Sequence, residues 1–256
     1  MSEVATAPGV ILPKTFLPPV LEDPKTLILY SAPKIGKTTL LSTLPNCLIL
    51  DLENGTDYLS ALKLKADDAA GIKNIIDTVI AAGNPYDYIA VDTISALEEI
   101  LLPYAEQLYA NSPEGKTWYE VGRGKYGSLL NMPNGSGYAW IRIAYQNVLN
   151  YIKKASRNII LVGHVKDTVA DSNGTEVTVR DIDLTGKLKR ITTNNADAIG
   201  FIYRKKDANW ITFKSSDEVS CGARPAHLKN QTFIISENTP EGYKSYWEKI
   251  YTNIKK

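Results

Sequence analysis

Cysteine is nearly absent from this 256-residue sequence, with Cys47 and Cys221 the two present. Their number and spacing provide neither a disulfide framework nor a metal-ligand pattern, and they suit a reducing compartment. Histidine is as scarce, His164 and His227, so a zinc centre would need many carboxylates. An excess of charge of one sign is missing too: 29 Lys and Arg stand against 28 Asp and Glu, a formal net charge of +1. A protein that held nucleic acid through its overall field would be far more basic, so any such contact has to be local to particular loops. No apolar run approaches the ~20 residues that span a bilayer. Met1–Val10 also has neither the basic start nor the apolar centre of a secretory signal. The expectation is a cytoplasmic protein without a membrane association. Internal repeats, low-complexity tracts and a linker between halves are lacking as well. With 44% apolar and 22% charged residues, one α/β domain with a sizeable core is expected.

Residues 1–24 form a Pro-rich arm, in which Pro8, Pro13, Pro18, Pro19 and Pro24 forbid a helix and discourage a central strand. Its apolar residues, among them Phe16, Leu17 and Leu21, need a surface to lie on, either the domain's own core or a neighbouring subunit. From residue 25 to 256 the pattern is that of one domain. Apolar runs at Thr26–Tyr30, Cys47–Asp51, Tyr88–Asp92, Asn158–Gly163 and Ala198–Tyr203 read as buried strands. Helical periodicity separates them at Lys37–Leu44, Ala69–Ala82, Ser95–Tyr109 with a bend near Pro103, and Tyr138–Ala155. Alternation of strand and helix predicts a three-layer α/β fold with a mainly parallel central sheet. Trp210–Phe213 is expected to pair with the fifth strand across an Asp207–Asn209 turn. Gln231–Ile235 reads as a late strand and Pro240–Ile254 as a terminal helix. Two stretches are polar or glycine-rich loops, 111–137 and 166–186, the second with room for a hairpin around Asn173-Gly174.

Ser31-Ala32-Pro33-Lys34-Ile35-Gly36-Lys37-Thr38, followed by Thr39, leaves an apolar strand and opens a helix. That is the context in which backbone N–H groups and a helix N-terminus surround phosphates, the lysine reaches the β- and γ-phosphates, and the hydroxyl ligates Mg²⁺. Lys37 and Thr38 take those roles, and Gly36 lets the backbone come close. Ser31 stands where the usual pattern has its first glycine. Asp92 closes an apolar strand farther on and can hold the Mg²⁺ shell; the competing role is a helix cap, which Thr93 or Ser95 could equally fill. At the end of the second strand, Glu53 or its rival Asp51 could deprotonate the attacking water, unless both are simply loop carboxylates. His164 ends the fourth strand, where it could touch the γ-phosphate and lead into the next loop, or be an ordinary hydrogen-bonded strand-edge histidine.

Together the Ser31–Thr38 loop, Asp51–Gly55, Asp92-Thr93 and the strand-end His164 resemble the short, phage-type RecA/Rad51-like P-loop ATPases that assist single-strand annealing and recombination. The resemblance covers about residues 25–215. It implies a RecA-like ATPase core with ATP and Mg²⁺ as cofactors, a sensor strand between the phosphate-loop strand and the Asp92 strand, and a bacterial host cytoplasm. It also implies single-stranded DNA as partner, a homo-oligomer in ring or filament form, and a contact with a single-strand-binding protein. The loops at 111–137 and 166–186 would face the DNA. Their Trp118, Tyr119 and Tyr126 can stack on bases and Lys116, Arg123 and Lys125 can meet phosphates; the alternative role of the aromatics is to anchor the insertion onto the domain. One of Lys187, Lys189 and Arg190 would act in trans on a neighbour's γ-phosphate, with a solvated basic face as the plainer reading. A RecA-fold helicase or helicase-loading ATPase and a nucleotide-switched protein-interaction module remain alternatives.

Overall fold

The structure, a computed structural model, describes residues 14–19, 21–121, 128–172 and 175–254. In chain order the strands are β1 (Thr26–Ser31), β2 (Cys47–Asp51), β3 (Leu62–Lys65), β4 (Tyr88–Asp92), β5 (Asn158–Ser172), β6 (Thr175–Ile182), β7 (Ala198–Lys205), β8 (Ala208–Thr212), β9 (Gly222–Ala223), β10 (Thr232–Thr239) and β11 (Gly242–Ser245). The helices are α1 (Lys37–Ser42), α2 (Ala69–Ala81), α3 (Ile94–Ile100), α4 (Leu102–Ala110), α5 (Pro113–Val121), α6 (Gly137–Ile152) and α7 (Gly186–Asn194).

All but two of the described strands line up as β11-β10-β8-β7-β1-β5-β4-β2-β3, with β6 and β9 branching from β5 and β7. The run from β7 to β3 is parallel throughout. A central parallel strand must bury both faces, which is why β1, β2 and β4 are continuous apolar runs. Their side chains alternate between two cores. Ile28, Tyr30, Leu48, Leu50, Ile89 and Val91 pack beneath α2, α3, α6 and α7. Leu27, Leu29, Ile49, Ala90, Ile160 and Val162 pack on the other side against α1, Trp247, Ile250 and Tyr251. The second outer layer is therefore thin, one short helix and a C-terminal turn. The strand β5, which carries His164, lies between β1 and β4, the place expected of the sensor strand.

Several expectations need correction. Pro240–Ile254 is no helix: β10 and β11 form an antiparallel hairpin, and a 3₁₀ turn follows at Trp247–Lys249. Proline and Gly242, with φ 121°, make a turn there that a helix cannot accommodate. The β7–β8 turn is shorter than expected, because Ala208 and Asn209 already pair with Lys205 and Arg204. The stretch 111–137 holds a helix, α5, and two 3₁₀ turns. Stretch 166–186 is largely a long antiparallel hairpin, β5 running straight on from the sheet to pair with β6; the Asn173-Gly174 turn lies outside the described residues. The edge strand β3 lies outside the runs read as strands: Leu62–Lys65 is mostly exposed, and no continuous apolar run marks it. The bend near Pro103 is there, as a break at Leu101 with the proline in the first turn of α4.

Candidate nucleotide site

Strand β1 ends at Ser31, which is fully buried, and the chain turns through a loop to α1. Gly36 takes φ 98° at the start of α1, and no side chain caps that N-terminus. The first turn of α1 thus presents backbone N–H groups of the kind that receive an anion. Lys37 folds back into the loop, 8% exposed, and its Nζ donates to Ser31 Oγ at 3.1 Å and to the Ala32 carbonyl at 3.3 Å. Ser31, the departure from glycine, is therefore a lysine partner. Burial lowers the Lys37 pKa, opposed by the nearby Asp92 and Glu53 carboxylates. An ammonium held by two uncharged oxygens is one that an incoming polyphosphate would stabilise further.

Thr38 Oγ1 donates to Asp92 Oδ2 at 2.6 Å. Asp92 closes β4 and is 4% exposed. Burial raises its pKa; the Thr38 hydrogen bond and Lys37 work against that, while Glu53 and Asp51 add to it. A hydroxyl and one buried carboxylate suit Mg²⁺, which takes one or two carboxylates and fills its remaining positions with water and phosphate oxygens. Among the described residues no group of three or more His, Cys, Asp or Glu could hold a metal unaided, so a cation here would share its ligands with a nucleotide.

The two carboxylates after β2 have different surroundings. Asp51 is buried at 1% exposure and accepts from the backbone N–H of Glu53, Gly55 and Thr56 and from the Thr56 hydroxyl. Burial would raise its pKa, but these hydrogen bonds outweigh it and the pKa falls. Asp51 thus organises the turn. Glu53 stands on that turn with its side chain 40% exposed. Its Oε1 accepts from the Thr93 hydroxyl, and His164 Nε2 lies 3.3 Å from Oε1 and 3.4 Å from Oε2. Thr93 also caps α3, accepting from Ala96 N. The Asp92–Thr93 peptide is cis. His164 Nδ1 is buried without a hydrogen-bond partner among the described residues. The arrangement offers a cationic, N–H-lined loop, a metal pair and a carboxylate steered by a threonine, all at the C-terminal ends of β1, β2, β4 and the central part of β5.

The remaining candidates lie farther off. Trp118 and Tyr119 fall on α5; Arg123, Lys125 and Tyr126 lie outside the described residues. Lys187, Lys189 and Arg190 are on α7, where Lys189 pairs with Asp181 at 2.7 Å and Lys187 and Arg190 are exposed. Two residues not foreseen from sequence touch the phosphate loop. Asn209 Nδ2 and Arg204 Nη2 both donate to the Ile35 carbonyl, at 3.1 and 3.3 Å. The sequence places Asn209 in a turn, a position that carries no sign of burial.

Residues 23–225 match a protein family described as AAA domain. No curated protein matches the chain. No helix among the described residues is long and apolar enough to cross a membrane.

Proposed function

The chain belongs to the AAA domain family, and from that premise we propose that it is a Mg²⁺-dependent ATP hydrolase of RecA-like type that binds single-stranded DNA and assists annealing or recombination as a homo-oligomer. One observation carries the ATPase reading: Lys37, the Thr38–Asp92 pair and the Thr93–Glu53–His164 chain converge at the C-terminal end of the inner parallel strands.

In this reading ATP and water give ADP and phosphate by in-line displacement. The loop N–H groups and Lys37 hold the β- and γ-phosphates and offset charge that develops on their oxygens. Thr38 and Asp92 would hold Mg²⁺, which when bound neutralises charge across those oxygens. Glu53 accepts the proton of the attacking water, and the Thr93 hydroxyl fixes the direction of its carboxylate. Asp51 keeps the Glu53 turn in shape. His164 senses Glu53 and lies on the strand that continues into the β5–β6 hairpin, so a shift of the carboxylate is passed to that hairpin. The RecA-like branch is supported by the place of β5 between β1 and β4. The DNA role is supported by the hairpin's reach from the site and by its exposed Lys166 and Arg180, which DNA phosphates would have to draw from loose ion pairs with Asp183 and Asp167.

ATP hydrolysis measured with and without single-stranded DNA tests both halves. Stimulation by DNA that vanishes in Lys37→Ala supports the proposal. Turnover indifferent to DNA removes the DNA role and leaves the ATPase. A second reading, a non-catalytic nucleotide switch, draws on Glu53 being engaged by Thr93 and His164; residual turnover unaffected by Glu53→Gln would favour it.

A further inference from the structure

The antiparallel wing of the sheet reaches back to the phosphate loop at both ends of the loop–helix unit. Asn209, in β8, is 6% exposed, so each of its polar atoms needs a partner. Its Nδ2 donates to the Ile35 carbonyl at 3.1 Å and to Ser236 Oγ of β10, also at 3.1 Å. Its Oδ1 accepts from Arg204 Nε at 3.2 Å, and Arg204 Nη2 continues to the same Ile35 carbonyl at 3.3 Å. A Cβ placed on Gly36 would sit 3.9 Å from Asn209 Nδ2, so the amide lies against the glycine of the loop as well. At the other end, the indole Nε1 of Trp247 donates to the Leu40 carbonyl of α1 at 3.0 Å, from a side chain 2% exposed. Ser236 and Trp247 lie beyond the 23–225 family match.

We infer that the wing formed by β8, β10, β11 and the Trp247 turn is a brace for the phosphate loop, with Asn209 and Arg204 as positioning residues that set the orientation of the Ile35–Gly36 peptide and hence nucleotide affinity. The physical reason is local. Two donors on one carbonyl fix the plane of that peptide, and the same plane directs the N–H of Gly36. The loop then meets its anion without paying to order itself. Ser236 of β10 takes the other hydrogen of the Asn209 amide at 3.1 Å, which keeps that amide turned toward the loop. This inference rests on the nucleotide-site reading above.

The test compares the dissociation constant for Mg²⁺ with ADP, by titration calorimetry, against the melting temperature for four proteins: wild type, Asn209→Leu, Arg204→Lys and Ile235→Val. Asn209→Leu keeps the branched outline, at a somewhat larger volume, and removes both the donors and the acceptor. Arg204→Lys keeps the charge of an exposed side chain but loses the fork, and folds even if the first variant does not. Ile235→Val loosens the buried packing of β10 without touching Ile35. The expected result is an ADP affinity about three- to tenfold weaker in Asn209→Leu and about threefold weaker in Arg204→Lys, the loss of one hydrogen bond or so, with Ile235→Val lowering the melting temperature and leaving the affinity alone. Wild-type affinity in both Asn209→Leu and Arg204→Lys overturns the inference, as does an equal loss in Ile235→Val, which would make the effect one of general stability. A wild type that binds no ADP overturns the nucleotide-site reading, and this inference with it.

Discussion

Replacing Asp51 by Asn separates the two carboxylates that share the end of β2. Asp51 accepts at 3.2 Å from Glu53 N, 3.1 Å from Gly55 N, 3.0 Å from Thr56 N and 2.6 Å from the Thr56 hydroxyl. An asparagine of the same shape has one acceptor oxygen and one NH₂ group. Placed with its oxygen toward Glu53 and Gly55, it sets the NH₂ against Thr56: the Thr56 N–H bond is lost, the Thr56 hydroxyl must turn to accept instead of donate, and all the bonds that remain lose their charge assistance. A hydrogen bond to a charged group contributes about 1.5–3 kcal/mol and a neutral one about 1. Taken near the low end of those ranges, the loss is about 3–4 kcal/mol, a large part of the 5–15 kcal/mol or so by which a domain is stable. For a chain of this size each kcal/mol shifts the melting temperature by about 2–4 °C, so Asp51→Asn should melt roughly 6–15 °C lower at pH 7, by calorimetry or circular dichroism. The pH dependence has a definite sign. A carboxylate whose folded pKa is depressed below its ordinary 3.8 contributes stability that is present above that value and lost as the pH falls through the folded pKa. The gap between wild type and variant should therefore be constant at neutral pH and close only below 3.8. Glu53→Gln should do the reverse: little change in melting, and turnover lower by about 10²–10⁴-fold, the range of a general base. An Asp51→Asn protein that melts like wild type but has lost turnover would refute the assignment and make Asp51 the base.

Three further predictions follow from the same contacts. Asp92→Asn removes a buried charge whose pKa is raised by burial; as an acid with a raised folded pKa it costs stability that builds up as the pH rises above its ordinary 3.8 and is complete above the folded value, so the nucleotide-free variant should melt higher at pH 7 while Mg²⁺-dependent hydrolysis falls by about 100-fold or more. Trp247→Phe keeps the ring between α1 and Tyr251 but leaves the Leu40 carbonyl without its donor, and should cost about 1–3 kcal/mol in denaturant unfolding. Ile76→Ala on α2, whose side chain is fully buried in the helical layer, should cost about 2–5 kcal/mol through lost transfer and cavity terms, with the ADP dissociation constant unchanged.

How far the fold was legible depends on which force shaped each segment. Buried parallel strands announce themselves because both faces must be apolar: Thr26–Tyr30, Cys47–Asp51 and Tyr88–Asp92 were located to within a residue. The phosphate loop was legible because its chemistry dictates residue types at fixed spacing, and so Lys37, Thr38 and Asp92 fall together. The wing was not. Its strands are half buried and partly polar, and Pro240–Ile254 reads as a terminal helix where Gly242 and proline impose a hairpin. Leu62–Lys65 gains its strand identity from pairing with β2 at the edge, a tertiary contact that a four-residue window cannot show. Asn209 and Arg204 carried no signal as loop partners, because a polar residue after a turn is read as solvated until burial is known. The choice between Asp51 and Glu53 likewise needed the count of hydrogen bonds each carboxylate receives.

The most direct test of the central claim is steady-state ATP hydrolysis in Mg²⁺ by the wild type beside Lys37→Ala, with both proteins checked for equal folded fraction. The account predicts turnover in the wild type that drops by about 100-fold or more when the loop loses its ammonium. Equal rates in the two proteins, or a wild type that neither binds nor hydrolyses ATP, would contradict it.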